Sequence, residues 1–189
     1  MNIYEIIKSE YRKNRMAQMD LCDRLVNLVK DFRDEIAKTL DTSDKEISLL
    51  DKDFEDLPCL FIELSSDGIQ KRPNEINLED VSIDRQDESS VLYYIDYSIK
   101  MYLGIDPFDE RGKFISLPYR TSLLCKKWVA EDDFKIPQEE IMIQAKVFKQ
   151  DGFVEEDVLF CKSGSEYNQK IFEAVEDFIN RVKKEIKNS

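Results

Sequence analysis

Hydrophobic positions follow helical spacing at both ends of the chain and alternate in its middle. From residue 3 to residue 40 no Gly or Pro interrupts the pattern, which predicts one long helix. In its second half, spacings of three and four residues define an apolar seam, formed by Cys22, Leu25, Val29, Phe32 and Ile36. Towards the N-terminus the same seam meets Gln18, Arg15 and Lys8, so we expect the first half to project or to pack only partly.

The seam must be covered, either by a sheet of its own chain or by a second copy. A helix rises about 1.5 Å per residue, so this one is longer than a compact domain of this size covers. We therefore predict a homodimer whose contact residues are Cys22, Leu25, Val29, Phe32 and Ile36.

The middle of the chain predicts an antiparallel sheet. Residues 91–103 alternate between two sets of side chains, which is typical of a long, half-buried strand. Asp151-Gly152 lies between two further apolar runs and predicts a hairpin. The remaining strands are predicted at 58–64, 113–117, 121–130 (after Pro118), 141–149 and 153–161.

The C-terminal region predicts a second helix. Ser163 and Glu166 have the spacing of a capping box, and an apolar stripe follows at helical spacing. Together these patterns predict an α+β fold, in which an antiparallel meander of about five strands is flanked by the two helices. We expect a single domain with four parts, namely 1–40 (long helix), 41–90 (acidic, one short strand and an extended loop at 69–90), 91–162 (sheet) and 163–188 (helix).

Composition excludes several kinds of site. The chain has no histidine, which rules out imidazole-based catalytic sites and zinc ligand sets within it. Its five glycines form no phosphate-binding loop, and its four cysteines form no CxxC pair. We therefore predict no catalytic residue, no metal and no cofactor. Without an apolar run of membrane-spanning length or a signal sequence, we expect a cytoplasmic protein that does not bind membranes.

The net charge of −12 is concentrated, because residues 41–88 alone carry −10. Such a surface repels nucleic acid, so no nucleic-acid partner is expected. Asp51, Asp53, Glu55 and Asp56 are predicted to bind a basic partner protein, with a solubilising loop as the alternative. A second predicted partner surface is the sheet face that carries Tyr94 and Tyr102, provided that no helix covers it.

One catalytic chemistry survives the lack of histidine. Gln144-Ala145-Lys146 lies in a predicted strand after the acidic run 131–133, and this pattern resembles the core of the PD-(D/E)xK nucleases. The resemblance implies Mg²⁺ held by carboxylates, with Lys146 polarising the attacking water. It covers these few residues and lacks the proline-aspartate element.

The sequence thus favours a non-enzymatic, acidic protein-interaction factor. Its layout is similar to that of small acidic chaperones, immunity proteins and phage or defence accessory factors, an analogy at the level of the fold. The alternative is a Mg²⁺-dependent nuclease centred on Gln144 and Lys146.

Overall fold

A computed structural model describes most of the chain and contains two long helices. Helix α1 spans Ile3–Thr39 and helix α2 spans Gly164–Lys187. The described residues are 2–42, 46–47, 57–64, 70–71, 75–87, 90–103, 113–126, 139–149, 152–162 and 164–188.

Both helices begin with a side chain that accepts a backbone N–H. The Asn2 side chain caps α1 by accepting from the backbone N–H of Tyr4 at 3.2 Å. The Glu166 carboxylate reaches back to the backbone N–H of Lys162 at 2.7 Å. Ser163, the predicted cap of α2, lies outside the described residues. Both predicted helices are confirmed within a few residues at each end.

The predicted antiparallel sheet is confirmed. The strands are β1 Glu46–Ile47, β2 Leu57–Pro58, β3 Leu60–Leu64, β4 Gln70–Lys71, β5 Ser82–Arg85, β6 Ser90–Leu103, β7 Lys113–Lys126, β8 Glu139–Lys149 and β9 Gly152–Cys161. The order in the sheet is β4-β3-β6-β7-β8-β9. Strand β5 pairs with one end of β6, on the same edge of β6 that pairs with β3 further along. A separate two-stranded ladder joins β1 and β2.

The predicted hairpin joins β8 to β9. Lys149 pairs with Gly152, and Gly152 has a φ of +118°, a backbone conformation that favours glycine because it has no Cβ. The Asp-Gly signal therefore places the turn correctly.

Two local predictions are wrong. Pro118 does not divide two strands, because β7 runs through it without a break. The ladder between β7 and β8 begins at Tyr119, so the proline, which has no N–H to donate, lies just outside that ladder. The predicted loop at 69–90 contains short elements instead, namely β4, β5 and a 3-10 turn at Leu78–Asp80.

Both helices pack on one face of the sheet. The core joins their apolar stripes to alternate residues of β6, β7, β8 and β9. The Tyr119 ring lies at the centre of this core. Its centroid is 5.4 Å from the ring centroid of Phe32 in α1, 6.2 Å from that of Tyr97 in β6 and 6.3 Å from that of Phe178 in α2. All four of these side chains are fully buried.

The α1 seam is part of this core. Its five predicted dimer contacts are buried by the sheet and by α2 of the same chain, so the prediction of a homodimer through them is wrong. The sheet is wide enough to cover the second half of α1, and the length of the helix beyond it is accommodated by projection and not by a second copy. The buried Arg33 fixes this packing by donating its Nε–H to the Leu60 carbonyl at 3.0 Å. The five seam residues that were predicted as dimer contacts and are buried in this core are Cys22, Leu25, Val29, Phe32 and Ile36.

Candidate functional site

The first half of α1 projects from the body of the protein. From residue 2 to residue 20 every residue is exposed except Lys8, which is half-buried. At about 1.5 Å per residue this is a rod of nearly 30 Å. The buried residues of α1 begin at Cys22, and of the two outcomes expected for the first half, projection or partial packing, the structure shows projection. We call residues 2–20 the helical arm.

The helical arm carries large apolar side chains on one face. Ile3, Tyr4, Ile7 and Tyr11 are 63 to 74% exposed and succeed one another at spacings of one, three and four residues. Positions 4, 11 and 18 continue, at intervals of seven, to Leu25 and Phe32 of the buried seam. The exposed stripe is therefore an extension of the face that packs on the sheet.

Cations border this stripe. The helical arm holds four cations and three carboxylates, although the whole chain carries −12. The Lys8 ammonium lies over the Tyr4 ring, 5.7 Å from its centroid. The helical arm thus combines exposed tyrosines with positive charge, and these are residue types that carry much of the free energy of binding at protein interfaces. The four cations are Lys8, Arg12, Lys13 and Arg15.

Tyr94 and Tyr102 point to the sheet face opposite the helices, as predicted. Among the described residues neither helix packs on this outer face. Both tyrosines are half-buried by neighbours in the sheet, however. The Arg120 guanidinium lies 4.4 Å from the centroid of the Tyr94 ring, and the Phe114 ring lies 5.2 Å from that of Tyr102. Less of their surface is available to a partner than the sequence suggested.

A charged network crosses the middle of the outer face. Arg120 binds Asp96 through two hydrogen bonds, from Nε to Oδ1 at 2.7 Å and from Nη2 to Oδ2 at 2.8 Å. Lys146 Nζ lies 2.8 Å from Asp96 Oδ1, and Glu155 Oε1 lies 3.1 Å from Arg120 Nη1. Burial raises the pKa of Asp96, but the hydrogen bonds and charges of Arg120 and Lys146 outweigh it and lower the pKa overall.

The contacts of this network show which partners Lys146 and Gln144, the residues of the nuclease hypothesis, have in the fold. A carboxylate does lie beside Lys146, but both of its oxygens already bind cations. The Gln144 amide donates to Asp157 Oδ1 at 2.9 Å and so faces another side chain. Within the described residues no cluster of His, Cys, Asp and Glu could hold a metal ion. The acidic run 131–133 lies outside them.

The predicted acidic surface also lies outside the described residues, because it consists of Asp51, Asp53, Glu55 and Asp56. It remains a prediction.

No disulfide joins the four cysteines. Burial raises the pKa of Cys125 to about 11, and the Glu139 charge adds to this effect. Burial likewise raises the pKa of Cys22. A thiol with a raised pKa is a poor nucleophile, so neither residue has the character of a reactive cysteine.

A cleft that the sequence did not reveal opens where β7 and β8 part. Their pairing ends at Tyr119 and Ala145, and a cavity of about 550 Å³ lies beyond that pair, against the C-terminal end of α2. Four cations line it, namely Lys146, Lys149, Arg181 and Lys184. Two features of the sequence point to this cleft. One is Pro118, beside which the ladder between β7 and β8 ends, and the other is the cations in the last turns of α2. The helix dipole alone would also explain those cations.

No family model matches this sequence, and no curated protein or solved structure shows significant similarity to it. The described helices include none that is long and apolar enough to cross a membrane. The fold and the exposed surfaces define an α+β protein with a projecting amphipathic helix.

Proposed function

We propose that this protein is a non-enzymatic interaction factor that binds a partner protein through the helical arm. The observation that carries the proposal is the exposure of Ile3, Tyr4, Ile7 and Tyr11, which is at least 63% for each. Exposed apolar residues in a contiguous stripe mark interaction surfaces, whereas scattered ones are ordinary. An isolated helix is also marginally stable in water, so a long arm gains stability when a partner covers its apolar face.

The chemistry of the arm describes its partner. An amphipathic helix commonly binds by laying its apolar face into a hydrophobic groove. Because cations exceed carboxylates in the helical arm by four to three, the groove that fits best is bordered by acidic side chains. Lys8 occupies the seam position between Tyr4 and Tyr11, and Arg15 occupies the seam position after Tyr11, where both would pair with those acidic side chains.

The test uses variants of exposed residues, so that folding is preserved. Ile7→Asp together with Tyr11→Asp should leave the melting temperature within about 2 °C of wild type, because neither side chain contributes to the core. The same pair should weaken partner binding at least about tenfold, as expected when two central interface residues are lost.

The matched control is Ser9→Asp, which places one aspartate on the opposite face of the arm and is compared with each of the two single variants as well as with the pair. It should leave binding within about twofold, since a change outside the contact has little effect. Equal loss in both variants, or no loss in the double variant, would contradict the proposal. If light scattering finds a dimer that the double variant abolishes, the partner is a second copy of this chain.

The acidic segment is a second part of the proposal. Its charge of −10 over residues 41–88 would be relieved by a basic surface on the partner. Neutralising Asp51, Asp53, Glu55 and Asp56 to Asn or Gln should slow association and flatten its dependence on salt. An unchanged association rate would assign the segment to solubility. Free cysteines support a reducing compartment, and we include a cytoplasmic location in the proposal.

The Mg²⁺-dependent nuclease remains the alternative. In its favour, the Asp96 carboxylate lies 2.8 Å from Lys146 Nζ. The same carboxylate is held by Arg120 through both oxygens, and a divalent cation would have to displace that guanidinium. This geometry supports a structural ion-pair network better than a metal site.

A further inference from the structure

The cleft between β7 and β8 contains polar groups that the fold does not use. Tyr119, which lines it, is fully buried, and its hydroxyl has no hydrogen-bond partner among the described residues. A buried hydroxyl without a partner costs stability, and such groups are rare in folded proteins. At the mouth, Lys184 makes no ion pair with any described residue.

Cations outnumber carboxylates in this cleft. Four cations and two carboxylates, Glu156 and Glu185, line it. Lys149 Nζ lies 2.9 Å and Arg181 Nη2 lies 3.2 Å from the same Glu156 carboxylate. Arg181 also binds Asp177 of its own helix. Lys146 is paired with Asp96. Lys184 is thus the lining cation without an ion pair to a described residue, and an anion in the cleft would meet the positive charge of Lys184.

The walls between these groups are apolar. They are formed by Leu117 and Pro118 of β7 and by Ala145 and Val147 of β8. A volume of about 550 Å³ falls within the range of small-molecule sites. The rest of the lining is polar or charged, so apolar contact with a ligand is confined to these four residues.

We propose that this cleft binds a small organic anion. Its anionic group lies between Lys184 and Lys149 at the mouth, and its apolar body lies against Leu117 and Val147. The Tyr119 hydroxyl is covered in the unliganded protein, so its hydrogen bond to an acceptor on the ligand forms only when the ligand opens the cleft. The site lies at the end of the sheet, where β7 and β8 part, and it does not depend on what the helical arm binds.

The probe for the test is phenyl phosphate, with inorganic phosphate and benzyl alcohol as its charged and apolar halves. Titrations followed by NMR should show phenyl phosphate shifting the amides of Ala145 and Val147. It should bind at least about tenfold more tightly than either half alone, because two kinds of contact act together. Equal binding of inorganic phosphate, or no shift at these amides at millimolar probe, would overturn the proposal.

Two variants locate the site. Lys184→Ala should weaken phenyl phosphate at least about fivefold, whereas its neighbour Lys183→Ala, which does not line the cleft, should stay within about twofold. Tyr119→Phe should weaken binding about threefold or more without lowering the melting temperature, because the hydroxyl it removes has no partner in the fold. Equal effects of the two lysine variants, or unchanged binding in Tyr119→Phe, would show that these groups hold no ligand.

Discussion

Two stacked tyrosines should respond in opposite ways to loss of their hydroxyl groups. Tyr97 and Tyr119 are directly opposite each other on β6 and β7, and both are fully buried. The Tyr97 hydroxyl is hydrogen-bonded to Thr121 Oγ1 at 2.8 Å, whereas that of Tyr119 has no partner among the described residues. Substitution by Phe keeps both rings and removes only these oxygens.

The magnitudes follow from these contacts. Tyr97→Phe breaks a buried hydrogen bond and leaves the Thr121 hydroxyl without it, which should lower the free energy of unfolding by about 1 to 2 kcal/mol. Tyr119→Phe removes a buried polar group that pays for desolvation without a bond, so it should leave stability unchanged or raise it by about 1 kcal/mol. For a chain of this size 1 kcal/mol shifts the melting temperature by about 2 to 4 °C.

Urea denaturation of the two variants beside wild type measures the effect, with equal m-values as the condition for comparing them. We expect Tyr119→Phe to be the more stable variant by about 2 kcal/mol. If Tyr119→Phe destabilises the protein as much as Tyr97→Phe does, the Tyr119 hydroxyl has a partner in the fold, and the reasoning about the cleft fails with it.

Three further predictions test other parts of the structure. Phe32→Ala should lower the free energy of unfolding by about 3 to 5 kcal/mol, because it leaves a cavity at a fully buried position. Light scattering should find the same molecular mass as for wild type. A changed mass would show that the α1 seam is an interface between two copies of the chain. Stability should be nearly flat from about pH 6 to 8, because the chain has no histidine and burial moves the Cys125 pKa to about 11. Below about pH 4 the free energy of unfolding should fall, because the pKa of Asp96 is lowered in the folded protein: the stability this contributes is present above the unfolded-state pKa and is lost as pH drops through the folded-state pKa. Asp96→Asn should make that fall smaller. A fall of the same size in Asp96→Asn would show that Asp96 is not its cause. Millimolar Mg²⁺ should leave the melting temperature unchanged, and a rise that Lys146→Ala abolishes would revive the nuclease.

Strong periodicity was enough to predict the major elements. The alternation through residues 91–103 corresponds to β6, and the uninterrupted helical spacing up to residue 40 corresponds to α1. In β6 and in the second half of α1 the apolar side chains at these spacings are buried in the core, so local pattern and tertiary packing agree.

The missed elements have side chains without such a pattern. All four residues of β5 are exposed, because β5 lies on an edge of the sheet, so no alternation marks it in the sequence. Pro118 was a misleading signal, because a proline is tolerated where a ladder is already ending.

The surfaces were predictable only in part. Loss of apolar seam positions before Cys22 correctly indicated a projecting helix, but seam spacing is the same whether a sheet or a second copy covers it. The width of the sheet decides whether the sheet or a second copy covers the seam. That width depends on how the strands pair, which the spacing of residues within α1 does not show. The cleft brings together residues as distant as Tyr119 and Lys184, so no local pattern could announce it.

Site-specific photo-crosslinking in the native host tests directly whether the helical arm is the recognition element of this protein. A photoreactive phenylalanine analogue replaces Tyr11 on the exposed stripe or, as the control, Ser9 on the opposite face. We predict an adduct with a second protein at position 11 and none at position 9, since a crosslink forms only where the side chain contacts the partner. No adduct at position 11, or equal adducts at both positions, would contradict the proposal that the arm binds a partner.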